Sequence, residues 1–455
     1  MKVCKFGGTS VASAQQIKKV ANIIHSDSSR KIIVVSAPGK RHSDDTKVTD
    51  LLILLAERTL IGQDAESELQ QVLARYEEIA EELGLDGSMN TVIEKDLRER
   101  LSLDKEDPIL FMDRLKASGE DNNAKLIAAY LQSIGMEATY VCPKEGGLLV
   151  NERPQRVQAL PEGEELLAEL RNRRGIIVFP GFFGYTKDGT LRTFNRGGSD
   201  ITGSLLAAAT GAELYENFTD VDSVFSANPN VVDQPCAIHT MTYREMRELS
   251  YAGFTVFHDE ALRPAFLRSI PVCIKNTNNP RVRGTMIVKE RECGSQPVVG
   301  IAADDGFSTL FVDKYLMNVE IGFGRRLLQI LEDEEIPFEH TPSGIDNMSV
   351  IIRDSFLTEE KEARILHRVK EDLDADDVYF RRDYSMVVLV GERMRDTTGL
   401  TARAATAIAK TGASIQMINQ GSTEVSLVFG IHKKDETDVL RSLYDEFFQT
   451  AVARV

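Results

Sequence analysis

Two short β-rich runs, Val3-Cys4-Lys5-Phe6 and Lys31-Ile32-Ile33-Val34-Val35-Ser36, bracket a stretch in which Val11, Ala14, Ile17, Val20, Ala21 and Ile24 recur at helical spacing. Strand, helix, strand in that order is a βαβ unit, and its crossover lays the two strands parallel in one sheet. Further strands are predicted at Ala138-Thr139-Tyr140-Val141, Ile176-Ile177-Val178-Phe179, Glu213-Leu214-Tyr215 and Val272-Cys273-Ile274-Lys275. Between residues 47 and 134 the chain reads as mostly helical, with faces at Leu51 to Leu60, Leu69 to Leu83 and Val92 to Leu101. The alternation predicts an α/β region over residues 1–300, a mostly parallel sheet sandwiched by helices.

The remainder repeats itself. Gly322, Gly344 and Ser349 recur as Gly399, Gly421 and Ser426, each displaced by 77 positions, and Leu331 and Val350 recur as Ile408 and Leu427. Each copy reads as strand, glycine turn, helix (Arg325 to Leu331; Ala402 to Lys410), strand, turn and strand. Two small α+β modules are predicted, 301–384 and 385–455.

At 455 residues the chain exceeds one compact core. Its formal charge of -16 disfavours nucleic acid and anionic membrane, so an anionic ligand needs a local cluster of positive groups. The five cysteines, Cys4, Cys142, Cys236, Cys273 and Cys293, are scattered and form no Cys-x-x-Cys pair. They read as reduced thiols of a cytoplasmic protein without a protein-bound metal. No export signal precedes Val3, and no run of about 18 apolar residues could cross a bilayer. Asn217-Phe218-Thr219 and Asn347-Met348-Ser349 therefore read as chance matches to the glycosylation pattern.

Neither a Gly-x-x-x-x-Gly-Lys-[Ser/Thr] loop nor a Gly-x-Gly-x-x-Gly after a strand is present. In Lys5-Phe6-Gly7-Gly8-Thr9-Ser10, however, a strand ends on a lysine, two glycines open the backbone to a ligand, and Ser10 can cap the next helix. Lysine supplies the point charge that a transferring phosphoryl group requires; an edge lysine before a glycine turn is the plainer reading. Arg196-Gly197-Gly198-Ser199-Asp200 opens a helix-like segment, Ile201 to Thr210, and so gathers a cation and free N–H groups where anions bind. The same residues also suit an ordinary N-cap. Glu120 in Ser118-Gly119-Glu120 reads as a carboxylate before a helix, either capping it or holding a substrate ammonium. Thr219-Asp220 follows a strand and faces a nucleotide or forms an Asx turn. His239 and His258 are isolated and read as structural.

With these residues in place, the chain closely resembles the monofunctional aspartate kinases, proteins of the amino-acid kinase fold with tandem ACT domains. The resemblance rests on Lys5-Phe6-Gly7-Gly8-Thr9-Ser10-Val11, Phe194-Asn195-Arg196-Gly197-Gly198-Ser199-Asp200, Phe218-Thr219-Asp220-Val221-Asp222 and Ile418-Asn419-Gln420-Gly421-Ser422, in that order. It implies a catalytic domain followed by two ferredoxin-like ACT modules. The implied reaction is phosphorylation of the side-chain carboxylate of L-aspartate by ATP with Mg2+, a step toward lysine, threonine, methionine and diaminopimelate. It implies that Lys5, Gly7, Gly8 and Ser10 hold the phosphates, that Lys5 stabilises the transferring group, and that Asp200 orients Lys5 and the metal–nucleotide. Arg196, with Gly197, Gly198 and Ser199, would hold the substrate α-carboxylate, Glu120 the α-ammonium, and Thr49 would touch the substrate. Thr219, Asp220, Phe225 and Asn230 would face the nucleotide.

Three residues differ from the family pattern: Thr255 replaces a lysine, Phe225 a tyrosine and Asn230 an arginine. The loop Gly39 to Lys47 is longer than usual and brings extra cations, Lys40 and Arg41 among them. ACT pairs imply feedback by an amino acid, L-lysine or else threonine, and assembly into a homodimer or a dimer of dimers. In the first copy Met317, Val319, Gly322, Phe323 and Gly324 are expected to line the strand-to-helix turn, with Glu339 pairing with a lysine ammonium. No homoserine dehydrogenase segment is expected after the second module. Another amino-acid kinase, for glutamate or acetylglutamate, and a catalytically silent amino-acid sensor are the competing readings.

Overall fold

The opening βαβ unit forms β1 (Lys2–Phe6), α1 (Ala14–His25) and β2 (Arg30–Val35), with Lys5 beside Val34 in parallel register. The computed structural model describes residues 1–153, 156–195, 197–254, 259–292, 296–420 and 425–449. Ser13, not Ser10, caps α1 by accepting the Gln16 N–H, because a 3-10 turn over Gly8–Val11 delays the helix.

Four helices follow, α2 (Val48–Leu60), α3 (Glu66–Glu82), α4 (Ser88–Ser102) and α5 (Pro108–Ser133). Asp107 starts α5 by accepting the N–H groups of Ile109 and Leu110, each at 3.0 Å, with Pro108 in the first turn. Glu120 thus sits in the middle of a long helix, correcting the expectation that it precedes one. Gly119 is no break. A Cβ there would lie 2.8 Å from the Ala37 Cβ and 3.1 Å from Leu52 Cδ1, so the glycine lets α5 pack closely against the side chains of Ala37 and of Leu52 on α2.

The chain continues through β3 (Ala138–Tyr140), α6 (Pro143–Gly146), α7 (Glu164–Glu169), β4 (Ile176–Pro180), the hairpin β5 (Phe183–Tyr185) and β6 (Leu191–Thr193), α8 (Gly198–Thr210) and β7 (Leu214–Thr219). After β8 (Val224–Phe225) and β9 (Ala237–Ile238) come β10 (Thr240–Thr242), α9 (Tyr243–Tyr251), α10 (Arg263–Leu267), β11 (Val272–Asn276) and β12 (Thr285–Val288). The main sheet has the order β10-β12-β11-β7-β1-β2-β4-β3. Neighbours are parallel except β11 and β12. From β1 the chain crosses to β2 on one side, whereas β7, the other neighbour of β1, pairs with β11 away from it. The carboxyl ends of β1 and β7 therefore flank a topological switch point, where open α/β sheets bind ligands. Phe6 and Phe218 stack there with ring centroids 4.7 Å apart.

The chain divides into two compact units, Met1–Val224 with Ala237–Met246 and Thr255–Arg291, and Phe225–Cys236 with Arg247–Phe254 and Glu292–Val455. The second unit carries a five-stranded sheet of order β14-β13-β15-β17-β16, with β13 (Gly300–Asp313), β14 (Asn347–Arg353), β15 (Asp377–Val390), β16 (Met417–Asn419) and β17 (Ser426–His432). All its pairings are antiparallel. Its helices are α11 (Phe323–Asp333), α12 (Glu359–Asp372), α13 (Leu400–Lys410) and α14 (Glu436–Tyr444).

The 77-residue repeat has a physical meaning. Gly322 and Gly399 are the N-caps of α11 and α13, in left-handed conformation at φ 81° and 78°. Leu331 and Ile408 are buried in these helices, and Val350 and Leu427 in strands. The expected boundary at 384/385 falls inside β15, because β13 and β15 each run the length of two half-sheets. Gly300–Asp305 pairs with Ser385–Val390, while Phe307–Asp313 pairs with β14 and with 377–384. Two separate cores result, one around Leu310, Phe323, Val350 and Ile365, the other around Ile301, Leu389, Ile408 and Val439.

Candidate active site

The carboxyl end of β1 presents a buried lysine. Its Lys5 Nζ lies 2.6 Å from Asp200 Oδ1 on α8, and the same oxygen accepts the Asn217 Nδ2–H at 2.8 Å. Lys5 and Asn217 are direct partners across β1 and β7, so two strands and a helix fix one cation–carboxylate pair. Gly7 leaves room beside the ammonium, since a Cβ there would stand 3.4 Å from Lys5 Nζ. Gly8 and Gly39 bring two loops together: the Gly39 N–H donates to the Gly8 carbonyl at 2.9 Å, and a Cβ on Gly39 would meet Gly8 backbone at 2.5 Å. The Gly7 N–H is engaged with the Phe218 carbonyl. Ser10 is buried, its hydroxyl 2.7 Å from that of Thr277.

α8 begins at the same place. Gly197 is its N-cap at φ 73°, with no side-chain cap bond, so neither Ser199 nor Asp200 acts as the cap. The first-turn N–H groups of Gly198, Ser199 and Asp200 thus form an anion-attracting helix end. Close packing makes glycine necessary: a Cβ on Gly198 would lie 2.6 Å from the Phe182 ring, and one on Gly181 2.6 Å from Ser199. Phe182 itself is held at φ 78°, its N–H donated to Thr202 Oγ1. Arg196 lies outside the described residues, as do Thr255 and His258.

Glu120 is 5% exposed, and its Oε2 is buried without a hydrogen-bond partner among the described residues. Burial pushes its pKa up to about 8, against the opposing pull of the Ala37 N–H, its own N–H and the Lys116 ammonium. The helix around it is pinned. Tyr76 Oη donates to the Gly119 carbonyl at 2.7 Å and Asn123 Nδ2 to the Ser36 carbonyl at 2.6 Å. An acid so held is a poor anion alone and a good one once a cation arrives.

Thr49, in the first turn of α2, lines a cavity of about 590 Å³ together with Asp113, Lys116, Phe182, Asn195 and Gly197. Thr219 and Asp220 stand at the end of β7, where Thr219 Oγ1 donates to Asp220 Oδ1 at 3.2 Å. Phe225 and Asn230 belong to the second unit. In the long loop, Arg41 is committed to Asp45 and Glu78, and Asp45 also to the buried Arg75. Its cation is thus engaged within the protein.

In the second unit Met317 and Phe323 stand at the turn before α11 with buried side chains, while Val319 is 68% exposed. Gly322 and Gly324 bound the start of α11. Glu339 is already paired: its Oε1 accepts the Arg353 Nε–H at 2.9 Å, and Arg353 Nη1 reaches Asp304 at 2.9 Å. Reading the sequence missed Asn217, Thr277 and Tyr76. A polar residue inside an apolar strand, as Asn217 is, was the signal available.

A mostly parallel sheet with a buried lysine at its switch point and a helix start beside it suits phosphoryl transfer, and the family this chain matches is one of phosphotransferases. The amino acid kinase family matches residues 1–276 and the ACT domain family residues 387–447, so the chain belongs to the amino acid kinase family. Within that class it falls among the aspartate kinases. It is 53% identical over 448 residues to Aspartokinase 3 of Bacillus subtilis (strain 168), covering 98% of this chain and 99% of that one. It is 27% identical to chloroplastic Aspartokinase 1 of Arabidopsis thaliana, over 98% of this chain and 80% of the relative. Among solved structures, the aspartate kinase of Clostridium acetobutylicum superposes with a TM-score of 0.86 at 34% identity, covering 98% of this chain and all of that one. Escherichia coli aspartokinase III, solved with aspartate and ADP, shares the fold with a TM-score of 0.76 at 24% identity, over 98% and 100% of the two chains. Among the described residues no helix is long and apolar enough to cross a membrane.

Proposed function

We propose that this kinase transfers the γ-phosphoryl group of MgATP to the side-chain carboxylate of L-aspartate, giving 4-phospho-L-aspartate and ADP. The observation that carries the reading is the Lys5–Asp200–Asn217 group at the β1/β7 switch point, facing the uncapped start of α8. The acceptor carboxylate is ionised at neutral pH, so no strong base is needed and catalysis rests on placement and charge neutralisation. Lys5 meets the charge that develops on the transferring group, and Asp200 holds the lysine in place and faces the metal–nucleotide. Gly7, Gly8 and Ser10 shape the phosphate side, and Thr219 and Asp220 the nucleoside side, with Phe225 and Asn230 as further nucleotide contacts.

On the acceptor side Arg196 binds the α-carboxylate as a bidentate pair, Gly197, Gly198 and Ser199 add the helix start, and Thr49 closes the contact. Glu120 takes the α-ammonium, which supplies the cation that its unpartnered oxygen lacks. A coupled assay of ADP release with L-aspartate, with L-glutamate and without acceptor tests the reading. Aspartate-dependent turnover is expected. Preference for glutamate would assign another kinase, and no turnover with any acceptor would assign a silent sensor.

Regulation belongs to the second unit. L-lysine is the proposed effector, acting at the start of α11 near Val319, Gly322 and Gly324 with Glu339 as its ammonium partner, and threonine is the runner-up. The second ACT module is proposed to take its outermost strand from Gly300–Asp305. Tyr315, Val319, Ile321 and Ile345 form an exposed apolar patch at the first module, which supports a homodimer or a dimer of dimers through these modules. Free thiols at Cys4, Cys142, Cys236 and Cys273 suit a cytoplasmic enzyme.

A further inference from the structure

One cation beside the acceptor site has no role in the reading above. Lys116 lies one turn before Glu120 on α5, so the two side chains share a helix face. It lines the cavity that also holds Thr49 and the α8 N-cap Gly197. Its Nζ sits 3.3 Å from Asp113 Oδ1 and 5.8 Å above the Phe182 ring. Asp113 has other partners: the same Oδ1 accepts the Thr193 hydroxyl at 2.6 Å, and Arg192 Nη1 lies 3.7 Å from Oδ2. The aspartate stays matched when Lys116 leaves.

Lys116 has a flexible four-carbon stem and a side chain 22% exposed, against 7% for Asp113. Its charge acts on Glu120. We propose that Lys116 is a specificity-determining residue of the acceptor site, moving from Asp113 to a carboxylate of a dicarboxylic amino acid and so favouring that class over neutral amino acids. The proposal rests on the acceptor reading above. An acceptor with two carboxylates and one ammonium meets its ammonium at Glu120 and needs cations for both acidic groups. Arg196 serves the α-carboxylate and Lys5 the transferring group, so Lys116, which lines the same cavity as Thr49 and Gly197, adds an adjustable charge for the side-chain carboxylate that neutral amino acids lack. Phe182, held in its left-handed conformation, keeps the ring over which the ammonium rests.

The test compares wild type, K116M and K116R by steady-state kinetics and by calorimetric titration of L-aspartate into the nucleotide-free protein. K116M is expected to raise KM for aspartate and weaken its binding about ten- to a hundredfold, the loss of one charged hydrogen bond. KM for ATP and kcat should stay within about threefold, and K116R should recover most of the loss. An unchanged aspartate KM in folded K116M overturns the proposal while leaving the acceptor reading standing, as does an equal rise in the ATP KM. Absence of aspartate-dependent turnover in the wild type overturns both.

Discussion

Two glutamates, one in each compact unit, are assigned to the ammonium group of an amino acid, and their surroundings differ. Glu120 is enclosed by α5 and its neighbours with an oxygen that no donor among the described residues reaches, and burial raises its pKa to about 8. Glu339 is engaged by Arg353, which also holds Asp304. A catalytic site that awaits its substrate as the missing counter-ion binds by completing a charge. A regulatory site whose carboxylate is already matched binds only by competing with an internal partner. The first arrangement favours tight, ungated substrate binding, and the second makes the effector's affinity adjustable through Arg353.

The largest effect is expected at Lys5. K5A should lower kcat by about a thousandfold or more, as loss of a charge on a transferring phosphoryl group does, with the fold intact by circular dichroism. Retained turnover would remove the switch-point site from the comparison.

E120Q comes next and has two readouts. KM for aspartate should rise about a hundredfold, because a buried counter-ion to the ammonium is lost. Stability should move the other way. Between the ordinary glutamate pKa of 4.5 and the raised value of about 8, the native wild type holds a proton that the unfolded chain has released. Wild-type stability therefore falls as pH rises through this window, and the glutamine variant lacks that slope. Denaturant unfolding of both proteins from pH 5 to pH 8.5 checks it, and parallel curves would show Glu120 to be satisfied after all.

E339A should abolish inhibition by L-lysine while leaving basal turnover unchanged, and inhibition identical to wild type would reassign the effector site. R353A sharpens the contrast. Freed of its partner, Glu339 should bind the effector ammonium more tightly, lowering the half-inhibitory lysine concentration about three- to tenfold, the worth of a partly exposed ion pair. The smallest change is expected for N217A, which removes the Asn217 donor to Asp200 and should cost about threefold in kcat.

Strands β1, β2, β3, β4, β7 and β11 were legible because their apolar runs are bounded, as at Ile32 to Val35, whereas β5, β6, β8, β9, β10 and β12, two to four residues each, were not read. Lys5 and Asp200 were legible as motif residues, and the structure brings them within 2.6 Å. Glu120 was found for its chemistry but misplaced. Gly119 looked like a boundary, and only the approach of Ala37 and Leu52 explains a glycine inside a helix. Asn217 went unread because strand periodicity assigns a face and not a partner. The interleaving of the repeat was hidden for the same reason: nothing local in Gly300–Asp305 says that its mate lies at 385–390.

That shared sheet governs how the protein can be cut. A fragment starting at 306 would lack Gly300–Asp305 and bare the Ser385–Val390 flank of β15, an apolar edge ready to pair with another chain. A fragment ending at 384 would split β15 in mid-strand and strip the Ile301 end of β13 of its cover. Neither regulatory module can be excised as a contiguous stretch, so a usable fragment must begin before Gly300 and carry both.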